Sequence, residues 1–203
     1  MAETYTLHVA GLTRELTICK VNDHMDIAAF IMLGDAELTV ACAKAMLELL
    51  YATGMRVSEL IHLQITDINL QMGYVICHDS EKERIIPIGN VSRNAILQYM
   101  EHSRGFFTKD TNESALFTNC SGKSMSRQGF WKVLKGYASR AGIEKDITPR
   151  MFRHSCAAHM AAGGAGLQII REMLGHTDMA ATQIYAEFQP GITTEYRKAH
   201  PRG

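Results

Sequence analysis

The sequence predicts a mainly α-helical fold carrying one small antiparallel β-sheet, and three observations predict it. Apolar residues recur at spacings of three and four through AMLELLYATG, from Ala45 on, and again through later segments, the period of a helix with one buried face. Two short β-branched runs, Tyr74 to Cys77 and Ile85 to Ile88, flank the charged turn DSEKER, which is the pattern of a hairpin. Residues suited to helix ends punctuate the periodic stretches: Gly54 after the first, Thr148 and Pro149 before another, and Asp178 before the last.

Taken in order, Tyr5 to Val9 reads as a short strand followed by a turn, with apolar runs around Ile27 to Leu33 and Leu38 to Leu50. The helix through Ala45 is expected to stop at Gly54, since glycine adopts the left-handed conformation that closes helices. A second short helix begins near Met55, and the hairpin follows. Further helices are expected at Val91 to Ser103, Ser126 to Ala141, Pro149 to Ala162, Leu167 to Leu174 and Met179 to Phe188, and another at Ile192 to Ala199. Thr148 and Asp178 carry side-chain oxygens suited to N-caps, and Pro149 fits a first helical position, where its missing N–H leaves nothing unpaired. No internal repeat or low-complexity tract interrupts the series.

With 203 residues and 46% apolar content the chain can bury an ordinary core, so disorder over most of its length is excluded. No window approaches a membrane-spanning apolar run and no secretory leader pattern opens the chain, so a soluble cytoplasmic protein with no membrane partner is expected. Cys19, Cys42, Cys77, Cys120 and Cys156 are scattered and form no C-x-x-C pair, which suggests reduced thiols and neither a disulfide framework nor a zinc site. The net charge of zero argues mildly against nucleic-acid binding, but the way the charge is distributed points in the opposite direction. Residues 1–44 hold 3 basic and 6 acidic side chains, whereas the stretch from Lys123 to Arg153 holds 8 basic and 2 acidic.

That contrast divides the chain into a segment 1–44 and a domain 45–203. The front segment, in the run VAGLTRELTICKVNDHMDIAAFIMLGDAELTVACAK, resembles the N-terminal part of a purine-type phosphoribosyltransferase. The acidic pair and Thr/Gly-rich phosphate loop that such a transferase needs are nowhere in the sequence. The segment is therefore expected to be a fused remnant without that activity.

Three elements of the second part carry chemistry. YATGMRVSEL places Arg56 just beyond a glycine; TPRMFRHSCAAHM places Arg150 and Arg153 near one another on a helix; LGHTDMAATQIY places His176 upstream of Tyr185. Phe152, Cys156, His159 and Met160 form an apolar face of the middle helix, leaving Arg150 and Arg153 together on another. Guanidinium groups stay charged and present a planar fork to phosphate oxygens, so Arg56 and Arg153 from different helices suit a clamp on one phosphate. No cluster of paired carboxylates offers magnesium a site, and neither metal nor cofactor is expected. His154 and His159 read as packing or capping groups, there being no third ligand at metal-binding spacing.

Together these elements, through to the closing KAHPRG, resemble the tyrosine recombinase or phage-integrase family, in particular its Xer-like branch. The resemblance implies the integrase catalytic-domain fold and site-specific DNA recombination or integration, acting on double-stranded DNA as a homo-oligomer or with related subunits. It implies that Tyr185 attacks a phosphodiester to form a 3′-phosphotyrosyl intermediate, which conserves the energy of the broken bond. Arg56, Arg150, Arg153 and His176 would hold the phosphate. A lysine in the hairpin turn would protonate the leaving 5′ hydroxyl; Lys82 is the available candidate, and the alternative is that it is a solvated charge of an EKER turn. Lys123, Arg127, Lys132 and Lys135 are expected on the DNA backbone, while Trp131 either enters a groove or serves as a core aromatic with a basic edge.

The chain departs from the family pattern in three places. Arg150 stands where members usually have a histidine, and Asp79 and Ser80 stand close to where the lysine is usual, the turn being about one residue shorter. The sequence is also expected to lack the N-terminal clamp domain of full-length members, and DNA binding by these residues is expected to be weaker and steeply salt-dependent. A noncatalytic DNA-binding remnant of a recombinase and, further off, a phosphoribosyltransferase-related protein are the alternatives.

Overall fold

The computed structural model describes residues 2–9, 12–19 and 38–189 apart from 80, 81, 109–111, 120 and 145. At the front, β1 (Ala2–Val9) and β2 (Leu12–Cys19) pair antiparallel, Ala2 opposite Cys19 and Val9 opposite Leu12. The expected single strand at Tyr5 is thus the end of the first arm of a hairpin. The apolar run from Ile27 and the tail from Ile192 lie outside the described residues.

α1 (Leu38–Thr53) supplies the centre of the core, with Ala45, Met46, Leu47, Leu49 and Leu50 fully buried. It runs unbroken through residues 44 and 45, where the charge distribution suggests a boundary. Its apolar residues cover most of its circumference, as fits a helix surrounded by others. Gly54 ends it at φ 60, and a Cβ there would lie 2.6 Å from Leu174 Cδ2, so the turn needs glycine for conformation and for space.

α2 (Val57–His62) starts on Arg56 as N-cap, and a single 3-10 turn (Ile65–Asp67) leads into the three-stranded sheet. Its strands β3 (Ile68–Asn69), β4 (Tyr74–His78) and β5 (Glu83–Pro87) lie in that order, Cys77 pairing with Arg84 and His78 with Glu83. Alternation turns Val75, Cys77 and Ile86 inward and leaves Ile85 68% exposed. The turn closes with the Asp79 N–H on the Lys82 carbonyl, 3.1 Å.

The helix expected from Val91 begins one residue earlier, as α3 (Asn90–Gln98), and continues as a π-helical stretch (Tyr99–Arg104) and a final turn, α4 (Gly105–Phe107). The widened turn seats Tyr99 fully buried, its phenol accepting the Thr118 N–H at 3.0 Å. α5 (Arg127–Arg140) is capped by Ser126, whose hydroxyl accepts the Gly129 N–H at 3.0 Å. α6 (Pro149–Ala162) and α7 (Leu167–Leu174) match the sequence expectation, α7 closing on Gly175 at φ 67.

The last expected helix, Met179 to Phe188, is broken into α8 (Ala180–Gln183) and a 3-10 turn (Ala186–Phe188), with Tyr185 between them. Met179 holds the N-cap position, although Asp178 still accepts the Ala180 N–H at 3.0 Å. A second, smaller core forms here, in which Ala157, Ala158 and Ala161 of α6 meet Ile170, Leu174 and Tyr185. Among the described residues no helix is long and apolar enough to cross a membrane.

Candidate active site

The N-terminus of α2, the turn between β4 and β5, and the α7 C-terminus enclose a cleft of about 480 Å³. Four cations line it, Arg56, Lys82, Arg84 and Arg171, with His176 and the carboxylates of Asp79, Glu83 and Glu172. The sequence-derived candidates Arg56, Lys82 and His176 therefore share one space.

Arg56 reaches it because an N-cap residue leaves the helix direction and points away from the first turn. Its backbone N–H donates to Glu59 Oε2 at 2.6 Å, and its guanidinium, 43% exposed, pairs with Asp79 of the hairpin turn. The same Glu59 receives Arg84 Nη2 at 2.9 Å, while Arg84 Nε donates to the Met173 carbonyl at 3.1 Å. Only 11% of the Arg84 side chain is exposed, and it presses on Gly175 so closely that a Cβ there would lie 2.8 Å from Nη1. One buried guanidinium thus joins α2, β5 and the α7 C-terminus, fixing where Arg56 and His176 stand.

Arg153, on α6, donates from Nη1 to the Gly54 carbonyl and from Nη2 to the Leu174 carbonyl, both at 2.7 Å. Burial, and then the charge of Arg56, lower its pKa to about 10, which leaves it cationic at neutral pH. His176 Nδ1 is hydrogen-bonded to the buried Thr182 hydroxyl at 2.9 Å. Burial, followed by the fields of Arg153 and Arg56, lowers its pKa from 6.5 to about 4, so the imidazole is neutral at pH 7.

A value lower in the folded than in the unfolded chain means that acid favours unfolding. Stability is expected to fall as pH drops from about 6.5 towards 4, and chemical denaturation of His176→Gln across that window should show a flatter dependence. His78, raised chiefly by its bond to Asp67 at 3.0 Å, acts oppositely: its contribution is complete below 6.5 and is lost at higher pH.

Tyr185 stands apart from the cleft lining. Its ring is 3% exposed in the alanine-rich core, and its phenol is hydrogen-bonded to His154 Nδ1 at 2.6 Å. Burial raises the phenol pKa, and the nearby Arg153 charge works against the rise. Arg150, exposed on the same helix, donates from Nε to His154 Nε2 at 3.3 Å. His154, a packing or capping group on the sequence alone, thus belongs to the tyrosine's surroundings, whereas His159 bonds Tyr51 at 2.7 Å. The structure therefore makes two neighbouring groups, the cleft and the tyrosine pair, joined through Arg153.

Lys123, Arg127, Lys132 and Lys135 are all exposed; Lys135 Nζ lies 6.0 Å from the centroid of Trp131, which packs half-buried on the core. Arg84, Glu59 and Thr182 are site residues that the sequence reading misses. The alternation of β5 that buries Ile86 also turns Arg84 inward, a signal available in ERIIP. Glu59 is legible as a carboxylate in the first turn of α2, three residues beyond an N-cap.

On a helical scaffold with a small sheet, three arginines thus line a cleft beside a buried tyrosine, an arrangement whose cationic forks suit an anionic group such as a phosphate. The chain belongs to the phage integrase family, whose sequence model matches residues 23–190. That match takes in the later part of the run likened to a phosphoribosyltransferase. The chain is 48% identical over 162 residues to tyrosine recombinase XerD of Oceanobacillus iheyensis, an alignment covering 78% of this chain and 54% of the relative. With XerD of Staphylococcus epidermidis it is 46% identical over 161 residues, covering 78% and 55%. It spans about half the length of these relatives. The fold is similar to that of the XerA recombinase crystal structure, with TM-score 0.69, 27% identity, and coverage of 88% of this chain and 65% of that one. XerH bound to a palindromic difH substrate gives TM-score 0.67 at 19% identity, covering 87% and 50%.

Proposed function

We propose that this chain is the catalytic portion of a site-specific tyrosine recombinase that cleaves and rejoins double-stranded DNA through a 3′-phosphotyrosyl link at Tyr185. The observation that carries this reading is the convergence of Arg56, Lys82 and His176 on one cleft, with Arg153 bridging from that cleft to the phenol of Tyr185. The fork of Arg56 takes the non-bridging oxygens, whose charge grows in the transition state; Arg153, held by the Gly54 and Leu174 carbonyls, faces them as a fixed cation, and Arg150 adds positive charge beside the phenol. His176, neutral at pH 7, donates a hydrogen bond without requiring a proton from solution. The tyrosine oxygen bonds to phosphorus as the bond from phosphorus to the 5′ oxygen breaks, and Lys82 supplies that oxygen's proton.

Lys123, Arg127, Lys132 and Lys135 hold the flanking backbone, and neighbouring copies or related subunits on DNA provide the second strand's 5′ hydroxyl. Residues 45–203 carry this chemistry, and the segment before them takes no part in it. Such an enzyme works in the cytoplasm, where the scattered cysteines stay reduced.

The test is a nicked duplex carrying the palindromic sequence that XerH binds, incubated with the protein and resolved under denaturing conditions. A covalent protein–DNA adduct is expected. Binding without an adduct would support a noncatalytic DNA-binding remnant, and pyrophosphate release from phosphoribosyl pyrophosphate would support the transferase resemblance.

Asp79 competes for the same guanidinium as the phosphate. Replacing it with asparagine removes that competitor, and Asp79→Asn is expected to tighten DNA binding several-fold. The slope of log affinity against log salt should steepen by about one, as one further cation becomes available to phosphate. Fluorescence anisotropy over a salt series measures both.

A further inference from the structure

Arg150, His154 and Tyr185 form a hydrogen-bonded chain whose direction is fixed by what each group can donate. A guanidinium has donors and no acceptor. Arg150 Nε–H therefore donates to His154 Nε2, 3.3 Å away, and that nitrogen must carry a lone pair. A doubly protonated ring would instead turn one N–H against another, so the contact requires a neutral imidazole. Its single proton then resides on Nδ1, which lies 2.6 Å from the Tyr185 oxygen. The rings stand 5.9 Å apart at 50°, with the histidine edge towards the phenol oxygen. His154 is thus the donor in this bond, and the phenol's own proton is free to leave in another direction.

We propose that His154 is a further catalytic residue: its Nδ1–H stabilises the Tyr185 phenolate that attacks phosphorus, with Arg150 as the positioning residue that fixes the imidazole tautomer. This rests on the recombination reading above and deepens it. In the step, the phenol proton passes to water and the tyrosine oxygen bonds to phosphorus. The bond to the 5′ oxygen breaks, and that oxygen takes the Lys82 proton, which water restores. His154 keeps its proton throughout. A hydrogen bond to the charged form of a group favours that form, so the donor lowers the cost of ionising a buried phenol. The side chain at residue 150 accordingly contributes by orienting a neighbour, a role for which an arginine, unable to accept a hydrogen bond, is better suited than a histidine.

The tautomer is measured directly by nitrogen-15 NMR of the imidazoles in the free 203-residue chain. The expected result is a single Nδ1–H form for His154 that becomes a mixture in Arg150→Met; an Nε2–H form in the wild type overturns the proposal, whatever the protein does with DNA. In the adduct assay, His154→Leu should slow covalent capture by roughly 100-fold, the cost of one preorganised donor. It should also move the pH midpoint upward while leaving DNA affinity within about threefold, the scale of one rim contact. His154→Gln, which retains an N–H donor of similar reach, should recover most of the rate. Equal rates and midpoints for the Leu and Gln variants would overturn the proposal. Absence of any adduct from the wild type would instead defeat the recombination reading, leaving the tautomer result to decide the hydrogen-bond chain.

Discussion

Tyr185→Phe should abolish the covalent adduct while leaving the protein folded and able to bind DNA. Phenylalanine keeps the ring that fills the space between Ala157, Ala161, Ile170 and Leu174, so packing is preserved. What disappears is the oxygen, and with it the only atom of that side chain able to bond to phosphorus. The lost hydrogen bond to His154 should cost about 1 kcal/mol, the usual net worth of such a bond. Covalent capture is therefore expected to fall to background, with urea midpoints and anisotropy close to those of the wild type. An adduct of undiminished yield would show that another nucleophile reacts.

The second large effect is expected at Arg153, where stability and chemistry are lost together. Its fork spans the carbonyls of Gly54 and Leu174, which close α1 and α7, while its charge faces both the cleft and the tyrosine. Arg153→Ala leaves both carbonyls without these donors, a loss of roughly 3–5 kcal/mol from two charge-assisted bonds. Adduct formation should fall by about 1,000-fold or more, as for loss of a preorganised cation at developing negative charge. Arg153→Lys separates the two effects: an ammonium keeps the charge but does not reproduce a planar fork across two carbonyls. It is expected to recover part of the rate and little of the stability, which urea denaturation and the adduct assay together resolve.

The helices α6 and α7 are legible in the sequence because each is punctuated at both ends, by Pro149 and Gly163 in one case and by Gly166 and Gly175 in the other. Two elements depart from their periodic reading. The run from Val91 widens into a π-helical stretch where Tyr99 must reach Thr118, and the run from Met179 breaks at Tyr185, where the ring turns into the small core. Periodicity reports one buried face, and in both places a tertiary contact outweighs local regularity.

At the proposed site, the chemistry of guanidinium groups suggests Arg56 and Arg153 as a phosphate clamp, whereas the roles of His176 and Tyr185 come only from the family resemblance. The pairing of Asp79 with Arg56 is not legible in the sequence, because it depends on the hairpin register that brings residue 79 over the start of α2. His154 reads as a packing group because a lone histidine on a half-buried face carries no sign of its partner. The relevant neighbour, Tyr185, lies 31 residues further along the chain.

The small core around Tyr185 is built mainly on the methyl groups of Ala157, Ala158 and Ala161, whereas α1 is clasped by leucines and methionines. Alanine contributes little apolar area, so detaching residues 180–188 exposes far less surface than pulling α1 from its neighbours. Backbone amides of this terminal portion should exchange with deuterium through a subglobal opening, well before those of α1, while the remainder stays native. The cost of freeing the phenol oxygen to travel is thereby uncoupled from the cost of unfolding the scaffold that holds the arginines.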